Sequence, residues 1–79
     1  MKILERVDLR SWDYILYRTT EGYVLNVMFS SGMADLARSF RVSPAEAEQN
    51  SEGLITLAEH IREHYEAWKD REISPYIHD

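Results

Sequence analysis

Residues 57–68 read LAEHIREHYEAW. Within them His60-Ile61-Arg62-Glu63-His64 matches the H-x-x-E-H pattern of inverzincin metalloproteases. Two histidines one helical turn apart can clasp a metal ion together. Hydrolysis asks for more: a third protein ligand, a cleft for substrate and an oriented second layer of hydrogen bonds. Downstream the chain offers only Asp70, Glu72, His78 and Asp79. On a wheel of about 100° per residue, His64 lies about 70° and His60 about 110° from the centre of the apolar stripe, and Glu63 points away from it. The pair reads as two solvated histidines on the flank of a helix. A small metal-dependent hydrolase using His60 and His64 stays as an alternative, and no catalytic, metal or cofactor residue is assigned.

Other reactive constellations are absent. The chain has no cysteine, which removes disulfides, thiolate chemistry and Cys-based zinc modules. Ser30, Ser31 and Ser43 have no base or triad partner in view. Trp12, Tyr14 and Tyr17 have the aromatic spacing of a base-stacking platform, but the basic residues that hold a phosphate backbone are missing, so they read as strand and core aromatics.

The elements that must position these residues are legible in outline. Trp12 to Arg18 and Tyr23 to Phe29 are rich in β-branched and aromatic residues, and Thr19-Thr20-Glu21-Gly22 between them is turn chemistry, with Gly22 free to take a positive φ. In the second run Tyr23, Leu25, Val27 and Phe29 share the face expected in the core, while Val24, Asn26 and Met28 share the other. Ser30-Ser31-Gly32 reads as a second turn, and residues 34–42 as a third strand with Leu36, Phe40 and Val42 in step. Arg38 falls on that same side, so it lies at a sheet edge or snorkels outward. Ile3, Val7 and Leu9 outline a further edge strand.

Ser43, Pro44 and Glu46 spell an N-cap, an N1 proline and a capping box. Beyond them Leu54, Leu57, Ala58, Ile61, Tyr65 and Trp68 recur at steps of three and four. The first turns either overhang the sheet or form a separate short helix with a bend near residues 50–53, and Pro75 closes the helical region. The fold expected is α+β, a single domain over residues 1–79. A small antiparallel sheet of three to four strands, a β-hairpin plus a third strand, packs on one long C-terminal amphipathic helix. The face bearing Asn26 and Met28 is expected to stay open.

A chain of 79 residues with 44% hydrophobic and 29% charged side chains is ordinary globular material. At this length it buries only about 60% of its unfolded surface, so a partner or a second copy would help it. The net charge of −5 is uneven: residues 1–43 hold six basic and five acidic side chains, whereas residues 44–72 hold eight acids against Arg62, Lys69 and Arg71. That balance disfavours nucleic acid and fits a basic protein partner. Glu59–Glu63 and Glu66–Asp70 are like-charge pairs at i, i+4, each mildly destabilising, which points to a use for the acidity. The charged N-terminus has no signal-peptide core, and no stretch approaches the roughly 20 apolar residues of a membrane span, so the expected location is cytoplasmic.

The succession YVLNVMFSSG, RVSPAEAE and LAEHIREHYEAWKDREI resembles small bacterial proteins of immunity type, which accompany secreted toxins and neutralise them. The likeness is one of pattern, covers most of the chain and carries no functional residue across. It implies an α+β domain that works by binding another protein. The expected function is a non-enzymatic module that occludes a basic partner through Glu59, Glu63, Glu66 and Asp70 on the helix and Asn26 and Met28 on the open sheet face. The alternative is a homo-oligomeric structural module, a homodimer in the simplest case. No cofactor is expected.

Overall fold

The computed structural model describes residues 1–31 and 34–78. Its sheet has five strands, not three or four: β1 (Ile3–Arg10), β2 (Tyr14–Thr19), β3 (Gly22–Ser31), β4 (Ala34–Val42) and β5 (Glu72–Ile73). They lie side by side in chain order, every neighbour antiparallel. Thr19 pairs with Gly22 across a tight turn, and Gly22 takes φ +108°, the left-handed region that glycine enters without steric cost. Ser30 and Ser31 continue β3 instead of turning. Gly32 of the expected second turn lies outside the described residues.

The long C-terminal helix is also corrected. The segment is three short helices: α1 (Pro44–Ala47), α2 (Ser51–Glu63) and α3 (Tyr65–Trp68), followed by a 3₁₀ turn over Lys69–Arg71. Both halves of the capping box at Ser43 and Glu46 form. Asn50 then stops the chain from running on, because its side chain accepts from the Gly53 amide and caps a second helix. At His64 the backbone leaves helical geometry, with φ −123° and ψ 39°. No proline or glycine causes that break. In an unbroken helix residues eight apart are separated by about 12 Å along the axis. Here the Trp68 indole N–H folds back to donate to Nδ1 of His60 at 3.2 Å.

The apolar stripe packs on one face of the sheet. Leu54, Ala58, Ile61 and Trp68 are buried against Tyr14, Leu16, Leu25, Val27 and Phe40, with Leu57 and Tyr65 packed alongside. Each fully buried side chain of this size contributes about 1.5–3 kcal/mol. Phe40 sits at the centre, edge-on to both Tyr65 and Trp68.

Arg38 lies on the outer side of β4, just outside the two residues that pair with β5, and its side chain is 34% exposed. Its guanidinium lies 4.8 Å from the Tyr65 ring centroid and donates to the Tyr65 hydroxyl at 3.1 Å and to Glu72 at 2.9 Å. The Tyr65 hydroxyl in turn donates to the other Glu72 oxygen at 2.6 Å. This closed ring holds β5 on the edge of β4 and α3 over Phe29 and Phe40. Burial pushes the Glu72 carboxyl up, but the hydrogen bonds from Tyr65 and Arg38 outweigh it and hold the group below the ordinary glutamate range.

The opposite, back face is not open at its centre. Register places Tyr17, Thr19, Val24, Asn26 and Ser39 there, and all are buried. The C-terminal tail crosses it. Asn26 Nδ2 donates to the Ile77 carbonyl at 2.6 Å, the Ile77 amide donates to Ser39 Oγ at 2.9 Å, and Ser39 Oγ donates to Asn26 Oδ1 at 2.5 Å. Two polar side chains thus grip both backbone groups of one residue. Among the described residues no helix is long and apolar enough to cross a membrane.

Three outcomes are expected. Ser39→Ala removes the acceptor for the Ile77 amide, so Ile77 exchanges its hydrogen faster while the central β3 and β4 amides stay protected; Asn26→Ala costs about 1–3 kcal/mol because it orphans buried partners. For Glu72, a folded pKa below the unfolded value of 4.5 contributes stability that is fully present above that value and lost as pH falls through the folded pKa. The melting-temperature gap between the parent and Glu72→Gln is therefore widest near neutral pH and closes in acid.

Candidate interaction surface

The expected site residues fall into two groups. Glu59, Glu63, Glu66 and Asp70 are all exposed, on α2, α3 and the 3₁₀ turn. Glu66 meets Lys69 at 3.6 Å. Among the described residues Glu59, Glu63 and Asp70 form no ion pair. The arginines of this segment are turned elsewhere. Arg71 pairs with Glu46 at 2.8 Å and lies over the Trp68 ring. Arg62, three residues from Glu59, crosses the end of the sheet. Its Nε donates to the Met28 carbonyl at 2.6 Å, and its Nη2 donates to the Asp13 carbonyl at 2.8 Å and to Asp13 Oδ1 at 2.6 Å.

Asn26 is 6% exposed and bonded to Ser39 and Ile77, so it anchors the tail, and it also borders the cavity that Met28 lines. Met28 is half-buried and lines a cavity of about 180 Å³ beside the tail, with Leu9, Trp12, Ile15 and Ala37. Leu9 pairs with Ile15, Ile15 with Asn26, and Met28 with Ala37, so these residues share the back face.

Trp12, at the mouth of this cavity, is not a strand or core aromatic. It is 81% exposed and occupies the turn between β1 and β2. The Asp13 amide donates to the Arg10 carbonyl at 3.0 Å, and Trp12 has φ +63°. A positive φ at the third residue of such a turn is the type II pattern, whose usual occupant there is glycine or asparagine. A bulky residue in this region costs about 1–3 kcal/mol and persists only where its surroundings impose it. They do so through Asp13. Its carboxylate takes Arg10 at 3.1 Å and Arg62 at 2.6 Å, and its carbonyl accepts from the Met28 amide at 2.9 Å. The available signal was Ser11 and Asp13 on either side of the tryptophan, turn formers that the β-propensity of the surrounding run hid. Tyr14 and Tyr17 lie on opposite faces and are buried, so no stacking platform forms.

A second anchored carboxylate sits on the other side of the same hairpin. Asp8 accepts from the Tyr14 hydroxyl at 2.8 Å and from Ser51 at 3.1 Å, which ties β1 to β2 and to the start of α2. The bond from Tyr14 holds the Asp8 carboxyl below its ordinary range, and burial with the Asp8 charge pushes the Tyr14 phenol up.

His60 and His64 are exposed, with ring centroids 4.5 Å apart. His60 Nδ1 accepts from Trp68, so one of the four ring nitrogens is already engaged. Among the described residues no group of three or more His, Cys, Asp or Glu is placed to hold a metal ion.

No protein-family model, curated protein or solved structure matches this chain.

The strain at residue 12 gives a direct check. Trp12→Gly relieves the left-handed backbone and removes an indole that is mostly in water, against an entropic cost of about 0.4–1 kcal/mol in the unfolded chain. Urea unfolding is expected to show equal or higher stability. A loss beyond about 1 kcal/mol would mean that the indole holds the fold together.

Proposed function

We propose that this chain is a cytoplasmic, non-enzymatic binding module of immunity type, which occludes a basic protein partner with the outer surface of its helical layer. One observation carries the reading. Glu59, Glu63 and Asp70 stand in solvent without ion-pair partners among the described residues, although Arg62 is within reach along the helix and is directed to Asp13 instead. Glu59 and Glu63 lie one turn apart on α2, where like charges raise the energy of the helix by a few tenths of a kcal/mol. A field of this sign speeds the encounter with a cationic surface and repels acidic competitors. Asn26 takes no part, and the contact is confined to Glu59, Glu63, Glu66 and Asp70.

The expected experiment starts with the tagged chain in lysate of its native host. One basic protein is retained at low salt, eluted as salt rises, and lost with the charge reversal Glu59→Lys, Glu63→Lys and Asp70→Lys. Expressed alone, that protein is toxic, and co-expression of the parent chain, but not of the charge-reversed one, restores growth. Retention that ignores both salt and charge reversal contradicts the electrostatic contact. A captured protein that harms nothing when expressed alone contradicts the immunity role.

A further inference from the structure

The break at His64 brings three rings together. The indole of Trp68 is 8% exposed, and its N–H donates to Nδ1 of His60 at 3.2 Å. An indole nitrogen only donates, so Nδ1 must accept, and a neutral His60 then carries its proton on Nε2. His60 and His64 are both exposed and stand 4.5 Å apart, centroid to centroid. The Arg71 guanidinium lies over the same indole, 4.5 Å from its ring centroid, and is held there by Glu46 of α1. Trp68 is thus fixed by a cation on its electron-rich face and by a lone pair at its N–H edge. The remaining charged groups of the helical layer do not pair with either histidine. Arg62 is directed to Asp13, Glu66 meets Lys69, and Glu59, Glu63 and Asp70 form no ion pair among the described residues.

We infer that His60 is a proton-operated latch between α2 and α3: neutral, it holds Trp68 and the break at His64, and protonated, it loosens them. An imidazolium has two N–H donors and no acceptor. The Trp68 N–H then loses its partner and meets a donor of its own polarity. His64 adds to the effect, because two imidazolium rings at 4.5 Å repel each other. Histidine is the side chain whose ordinary change of charge falls between about pH 5 and 8. The other attachment of α3 holds through that range. Tyr65 is bonded to Arg38 and Glu72, and the Glu72 carboxyl is kept below the ordinary glutamate range. Mild acid therefore loosens the Trp68 end of α3, which keeps only its apolar contact with Phe40 and its stacking with Arg71, and leaves the Tyr65 end in place. The latch is closed at high pH and opens as pH falls. The break it holds sets how far Glu66 and Asp70 stand from Glu59 and Glu63, so opening it respaces the acids. Its operation is independent of whether those acids hold a partner.

Nuclear magnetic resonance of the ¹⁵N-labelled full chain, titrated through the histidine range of about pH 8 to 5, tests this. Trp12→Phe leaves one indole N–H signal, that of Trp68. Its protection against hydrogen exchange, corrected for the intrinsic pH dependence, is expected to fall about 10-fold as the His60 ring takes up its proton, the scale of one lost hydrogen bond. The central β3 and β4 amides are expected to stay protected. His60→Asn, whose side-chain oxygen stands in for Nδ1 and does not titrate, is expected to keep the protection at both ends of the range. His60→Phe, with no acceptor, is expected to lack it at both ends. His64→Gln is expected to retain the response, because the proton acts on His60. A Trp68 N–H whose protection is constant while the His60 ring titrates, or one that still responds to pH in His60→Asn, overturns the inference. So does a His60 that stays neutral throughout, or a loss of protection spread evenly over the sheet, which is acid unfolding and not a latch.

Discussion

The Arg62 guanidinium donates to three oxygens, the Met28 carbonyl, the Asp13 carbonyl and Asp13 Oδ1, at 2.6 to 2.8 Å. Charge-assisted bonds of this kind are about twice as strong as neutral ones, and here one side chain fastens α2 to β3 and to the turn after β1. Two features of the surface follow from it. With its carbonyl and carboxylate both held, Asp13 cannot relax, so the preceding residue is forced into the left-handed region and its indole is displayed to solvent. With Arg62 directed across the sheet end, Glu59 and Glu63 lose the cation nearest to them in sequence. A lysine at position 62 would keep the charge but not the fork that reaches a carbonyl and a carboxylate together.

A five-stranded sheet has two faces to bury. The helices take one face. On the other, the residues after β5 are held through polar chemistry. Asn26 and Ser39, at 6% and 0% exposure, hold the Ile77 backbone by its amide and its carbonyl together. Apolar contact alone would leave a short tail free to slide, whereas two hydrogen bonds to one peptide unit fix its position.

Much of the local structure was written in short-range chemistry. The Ser43–Glu46 capping box, the positive φ at Gly22, the core face of Tyr23 to Phe29 and the bounds of β4 follow from caps, turns and alternation, which act over a few residues. The readings that failed depended on distant contacts. Asn26 alternates with apolar residues in the pattern of an open face, and nothing nearby in sequence reveals that Ile77 comes to meet it, 51 positions on. His64 interrupts a helix that its own sequence supports, and the pull comes from Trp68 reaching His60 and from Tyr65 held by Arg38 and Glu72. β5 is two residues long, below any periodic signal, and exists because Arg38 captures Glu72. Of the expected site, the four acids are exposed as the charge pattern implied. Trp12 was hidden because its propensity favours a strand while its neighbours favour a turn.

The irregularity of β1 bears on how the sheet is protected at one of its edges. β1 is an edge strand eight residues long, carrying exposed leucines and a valine, the kind of strand that pairs edge to edge with another chain. Its register slips twice, once between Ile3 and Glu5 and again between Arg6 and Asp8, which leaves Leu4 and Val7 outside the pairing with β2. Such bulges bend and twist an edge so that a regular ladder cannot propagate across it. Continuous sheet formation through this edge is thereby disfavoured.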